Sequence, residues 1–105
     1  MTARAIARTL AALPMPDDDD TILQGHAHSQ RNRAEIEESD RCGCFFCGRT
    51  FRPRAIVAWI AADRRGQPET ARCPECGHDA VIGSASGLPI TETFLLRMRK
   101  HWFRH

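Results

Sequence analysis

Five cysteines stand in two short runs, Cys42-Gly43-Cys44-Phe45-Phe46-Cys47-Gly48 and Cys73-Pro74-Glu75-Cys76-Gly77. Inside them lie two copies of one spacing, C-x-x-C-G, at Cys44 to Gly48 and Cys73 to Gly77. Two residues between thiolates let a tight turn aim both sulfurs at one ion. The following Gly can take the positive φ that a Cβ would oppose. Two such turns make a tetrahedral four-thiolate set, which is the ligand set of a structural zinc ion. Cys44, Cys47, Cys73 and Cys76 are therefore the expected metal ligands, for one structural Zn²⁺. Four thiolates leave no open position for water or substrate, which argues against catalytic zinc.

Other chemistries use the same residues less well. Cys73 and Cys76 also match the C-P-x-C turn of thiol redox proteins, but that turn should open a helix within a βαβ unit. An iron–sulfur cluster would draw on Cys42, Cys44 and Cys47, whose spacing fits no common ferredoxin run. Disulfides are unexpected without a secretion signal. Cys42 is a surplus thiol, and His78, two residues past Cys76, is a substitute ligand only if a thiolate fails. His26 and His28, two apart in an expected extended segment, would point the same way. They are the residues on which a metal-dependent nuclease or hydrolase reading rests. Arg49, Arg52 and Arg54 interleave with Phe45, Phe46 and Phe51, a pattern able to hold phosphate and stack a base. Arg97 and Lys100 add a second basic group near the C-terminus. No Ser-His-Asp arrangement, HExxH or P-loop is present.

The elements that must position these residues follow from the rest of the chain. Its 105 residues allow one small domain, whose thin core a metal would reinforce. The formal net charge is +2. The basic surplus lies after residue 25, and it is smaller than that of a dedicated nucleic-acid binder. The longest apolar run, Ala55 to Ala62, falls far short of a membrane span, which takes about 20 residues. Residues 1–13 are apolar but broken by Arg8 and followed by Pro14, Pro16 and four Asp, unlike a secretory signal. A cytoplasmic protein is expected. Residues 1–25 read as an acidic arm, disordered or weakly helical, with a linker over 14–25. Residues 26–105 read as the zinc-binding domain.

Within that domain, Ser29 to Glu38 reads as a short helix capped by Ser29. The run from Arg41 to Phe51 reads as a Gly/Cys-rich turn. Ala55 to Ala62 and Glu69 to Arg72 read as a hairpin around the turn residues 63–68, with a short third strand at 80–82 and a loop over 83–89. Thr91 caps a helix running to about Phe103, with Phe94, Leu95, Met98 and Trp102 on its buried face. The fold class expected is a small α+β zinc-binding domain. It would be a zinc-ribbon-like β-hairpin with a C-terminal amphipathic helix and a short preceding helix.

CGCFFC, Trp59, CPECG followed by Asp79-Ala80-Val81-Ile82-Gly83, and the closing helix with Phe94, Leu95, Met98, Trp102 and Phe103 resemble a group of small, functionally uncharacterised bacterial cytoplasmic proteins. That resemblance covers residues 28–103. The two turns alone resemble the knuckles of zinc ribbons and treble-clef fingers. A treble clef would place its second ligand pair at a helix start. Here about fifteen residues separate Cys76 from the Thr91 helix, so the resemblance implies the ribbon form. The ribbon resemblance implies a binding module contacting nucleic acid or a protein partner.

Overall fold

The computed structural model describes residues 19–61, 65 and 67–103. The sequence expectations for residues 1–18 and for half of the hairpin turn fall outside them. Among the described residues there are two small antiparallel sheets and three α-helices. The first sheet has strand order β2-β1-β5, with β1 at Cys42–Cys44, β2 at Thr50–Phe51 and β5 at Val81–Gly83. The second is the hairpin of β3, Trp59–Ala61, and β4, Pro68–Ala71. The helices are α1, Asp19–Ala27, α2, Arg33–Glu37, and α3, Glu92–Trp102. This is a small α+β architecture in which the hairpin connects the two cysteine turns.

The C-terminal helix forms for the reasons its sequence states. Thr91 has extended backbone and its side chain accepts from the Phe94 N–H at 3.2 Å, satisfying one orphan donor of the first turn. Glu92 lies at the positive end, and Arg99, Lys100 and His101 at the negative end. Phe94, Leu95 and Met98 are buried, and Trp102 is half-buried. Those side chains meet Phe45, Ile82 and Val81 in one core.

The expected linker over 14–25 is corrected from Asp19 onward, because α1 occupies that stretch and packs on α3. Ile22 is buried, and its carbonyl accepts from Trp102 Nε1 at 3.1 Å. At Gly25 an added Cβ would stand 2.5 Å from Met98 Cε, so the missing side chain is what lets the two helices close. One buried isoleucine and one glycine give no periodic apolar stripe, which is why this helix is faint in the sequence.

The expected helix over Ser29–Glu38 shortens to α2. Arg31 has φ +49°, a left-handed conformation that separates α1 from α2. Ser29 does not cap α2. Its Oγ donates to His26 O at 2.7 Å and closes the end of α1. The strand expected at 55–62 is also shorter, because Pro53 opens a 3₁₀ turn over Pro53–Ala55. The turn expected at Cys42–Cys44 is instead β1, the central strand, buried along its whole length. The third strand pairs with β1, matching Cys44 to Val81, rather than extending the hairpin. The expected loop over 83–89 contains a 3₁₀ turn at Ser84–Ser86.

Asn32 joins the two sheets. Its Nδ2 donates to Val81 O at 2.8 Å and to His28 O at 3.0 Å, and its Oδ1 accepts from the Ala71 N–H at 3.2 Å. Beside it, the Arg31 N–H donates to Thr70 Oγ1 and Arg33 Nη1 donates to Pro68 O. The segment before α2 thus covers the outer edge of β4, whose backbone groups a two-stranded sheet leaves unpaired. A buried amide with three bonds is costly to lose, since each orphaned partner costs about 1–3 kcal/mol.

Candidate metal centre

The two C-x-x-C-G turns are built by the same backbone hydrogen bonds. In the first, the Cys44 N–H donates to Arg49 O and the Gly48 N–H to Cys44 O, at 3.0 and 2.8 Å. In the second, the Cys73 N–H donates to His78 O and the Gly77 N–H to Cys73 O, at 2.8 and 2.9 Å. Gly48 and Gly77 have φ of +82° and +81°, the conformation expected of the glycine after each second cysteine. The amide of Phe46 points at Cys44 Sγ at 3.4 Å, and that of Glu75 at Cys73 Sγ at 3.3 Å. Two knuckles of one geometry follow from one spacing.

The hairpin brings the knuckles face to face. The four sulfurs of Cys44, Cys47, Cys73 and Cys76 all lie within 4.8 Å of one another. Cys44 Sγ is 3.7 Å from Cys76 Sγ, and Cys47 Sγ is 3.7 Å from Cys73 Sγ. A tetrahedral ion with metal–sulfur bonds of ~2.3 Å requires sulfur–sulfur edges of about 3.8 Å. The side chains are therefore positioned to coordinate a metal ion, each knuckle giving one sulfur to each of these two cross pairs.

The electrostatics of the thiols differ with their surroundings. Burial pushes the Cys44 thiol strongly upward, against hydrogen bonds from the Cys47 and Phe46 amides. Burial also raises Cys76, by way of a smaller, more solvated contribution. For Cys73, burial raises the value, but the Cys76 and Glu75 amides and the neighbouring thiols outweigh it and the net direction is down. Coordination needs thiolates, so an ion must supply the charge that burial otherwise denies at Cys44.

Cys42 stands outside the cluster. It is fully buried in β1 opposite Gly83, and burial pushes its thiol up to about 11. His78 is not among the clustered ligands either. Its ring stacks on Phe46 with centroids 4.3 Å apart, and Nδ1 lies 3.3 Å from Asp79 Oδ1. The second knuckle leads into β5, so the helix that thiol redox chemistry would require after Cys76 is a strand.

The histidine pair is taken apart by α1. His26 sits in its last turn with its ring 4.3 Å from that of Trp102. His28 lies beyond the helix end and pairs through Nδ1 with Glu35 Oε1 at 2.9 Å. The extended backbone on which the nuclease reading rested is helical through Ala27, and the two imidazoles have separate partners.

The arginines divide into staples and surface groups. Two that spacing did not single out hold the knuckles: Arg99 Nη1 donates to Phe46 O at 2.7 Å, and Arg72 Nε donates to Gly77 O at 2.8 Å. Arg99 also lies over the Phe46 ring, 5.0 Å from its centroid. Only the place of Arg99 in the last turn of α3 hinted at a role. Arg49 pairs with Glu75 Oε1 at 3.6 Å, linking one knuckle to the other across the surface. Arg52 and Arg54 are exposed on either side of Pro53, and Arg97 and Lys100 are exposed on α3. The interleaved phenylalanines do not stand out to stack a base. Phe45 is buried, and Phe46 and Phe51 are half-buried against the core. Among the described residues no helix is long and apolar enough to cross a membrane.

Compared with protein-family models, with curated proteins and with solved structures, the chain matches none. The resemblance to bacterial proteins with paired C-x-x-C-G turns rests on the motifs themselves.

Proposed function

We propose that the chain is a zinc-stabilised binding module of the zinc-ribbon type, in which Cys44, Cys47, Cys73 and Cys76 hold one structural Zn²⁺. The observation that carries this is the pair of 3.7 Å sulfur contacts between knuckles, close to the edges of a tetrahedral site. Four soft thiolates favour zinc over hard cations. A set with four protein sulfurs holds the ion closed, so the ion supplies folding energy rather than a reactive position. Free thiols in this number suit a reducing compartment, and the cytoplasm is the proposed location.

The module contacts nucleic acid or a protein partner through its exposed cations, Arg49, Arg52, Arg54, Arg97 and Lys100. With Phe45, Phe46 and Phe51 packed inward, such a contact is electrostatic rather than a stacking platform. Elemental analysis of the purified protein, with thermal unfolding before and after chelation, tests the first part. One zinc per chain and unfolding on its removal are expected. No zinc, or a metal that leaves without unfolding the chain, overturns the reading. For the partner, binding to DNA or RNA that weakens steeply with salt and is lost in the Arg49, Arg52 and Arg54 to Ala triple variant identifies nucleic acid. Salt-insensitive capture of one protein identifies a protein partner instead.

A further inference from the structure

Beneath the second knuckle is a cavity of about 170 Å³, distinct from the sulfur cluster. Trp102, Phe103, Phe45, His26, His78 and Asp79 are among its lining residues. None of its lining residues is lysine or arginine. The rings fall into two contacting groups. Phe103 meets His78 edge-on at 4.9 Å and lies 5.8 Å from Phe45, while His26 lies 4.3 Å from Trp102.

Three features favour positive charge in this cavity, against the two imidazoles, His26 and His78, that also line it. Aromatic faces carry negative quadrupole potential and attract cations within about 6 Å of a centroid. Asp79 supplies a formal negative charge, which it shares with His78 Nδ1 at 3.3 Å and with a neighbouring cavity that Arg72 also lines. The C-terminal ends of two helices also converge here, since His26 is in the last turn of α1 and Trp102 and Phe103 close α3. Such ends carry partial negative charge on their carbonyls, reduced at α1, where Ser29 and Gln30 donate to His26 O and Ala27 O. Arg99, Lys100 and His101 offset part of this for α3, but none of them lines the cavity. The molecule already uses ring–cation contacts elsewhere, with Arg33 4.7 Å from the Trp59 centroid. By contrast, the larger cavity of about 360 Å³ between the first knuckle and α3 is lined by both Glu92 and Arg99, and selects no sign.

We propose that this aromatic cavity binds a methylated ammonium group, the shared chemistry of free choline-like head groups and of trimethyl-lysine side chains. The cation seats against Trp102 and Phe103, with Asp79 at its rim. A weakly hydrated ammonium suits the site because aromatic faces offer no hydrogen bonds to replace a water shell. The site uses the folded, zinc-loaded chain but not the identity of the partner met by the basic surface, so zinc content and cation binding can fail separately.

The test is titration of the zinc-loaded full chain, followed by NMR shifts of the Trp102 indole and by calorimetry. The probes are tetramethylammonium, choline, the neutral carbon isostere 3,3-dimethyl-1-butanol, and one peptide with either lysine or trimethyl-lysine. The cations should shift the Trp102 signals and bind roughly tenfold more tightly than the isostere. Asp79→Asn, a change at a half-exposed side chain, should weaken them severalfold while zinc content and melting stay unchanged. Trimethyl-lysine peptide binding well above choline places the source on a modified protein, and equal binding places it on a free head group. Equal binding of the neutral isostere, no shift at millimolar cation, or an Asp79→Asn variant that binds as the original does overturns the proposal.

Discussion

The two knuckles share hydrogen bonds, glycine φ and ligand spacing, yet the first is the more deeply buried, and the second, anchored by the buried Cys73, stands further out. Cys44 is fully buried, ends the central strand, and is followed by the buried Phe45. Cys76 is exposed, as is Glu75 beside it. The first knuckle is clasped by α3 through Arg99, whereas the staple of the second, Arg72, is the residue between β4 and Cys73. The difference teaches that one turn geometry can serve two roles. The first knuckle is held in place by the fold and waits for the ion. The second, buried only at Cys73, should depend more on the ion.

The largest effect that tests this contrast is metal removal. Structural zinc sites contribute on the order of 10 kcal/mol or more in small zinc-finger peptides, which exceeds the stability of most domains this size. Chelation should therefore abolish the cooperative melt seen by circular dichroism, with hydrogen exchange rising first around residues 73–79. Uniform rise across both knuckles would break the contrast.

Next come the ligands themselves. Cys44→Ser and Cys76→Ser each remove one thiolate, but only Cys44→Ser also buries a hydroxyl. It should be the more destabilising by about 1–3 kcal/mol, read from denaturant melts of the zinc-loaded proteins. Equal losses would mean that burial counts for nothing once the ion is present.

The glycines sharpen the comparison at smaller scale. Gly48→Ala and Gly77→Ala both place a Cβ at positive φ, and each should cost about 1–2 kcal/mol with the two values alike. Gly43→Ala differs, since its Cβ would stand 2.8 Å from Leu95 Cδ1 in the core behind the first knuckle, and overpacking costs about 1–3 kcal/mol. The smallest effect belongs to the bridge between knuckles. Arg49→Ala breaks an exposed pair with Glu75, and its cost should be below ~1 kcal/mol and shrink further in added salt.

The parts of this molecule legible in its sequence are those set by short spacing. C-x-x-C-G fixes a turn of five residues, and both knuckles form as the spacing requires. The helix with Thr91 as its cap was equally plain, because cap, dipole charges and a three-to-four apolar rhythm all agree. What sequence left hidden depends on distant partners. Cys42-Gly43-Cys44 has no strand signature, and it becomes a strand because β2 and β5 flank it. The first helix depends on a glycine that matters only once Met98 lies opposite. Asn32 has the composition of a turn residue, and its three bonds reach residues 28, 71 and 81. The aromatic cavity gathers residues from both ends of the described chain, which no local window joins.

The Asn32 clamp has a consequence for exchange kinetics. The Arg72 N–H bonds to Ala58 O within the hairpin, so the Ala71 N–H faces the other way, where Asn32 Oδ1 is its acceptor. Protection of that single amide therefore measures the docking of the segment before α2, not the integrity of the hairpin. A state in which the segment lifts away while the hairpin stays paired would exchange Ala71 and leave Arg72 protected. Two neighbouring amides at the end of β4 thus act as separate clocks, one for the clamp and one for the hairpin.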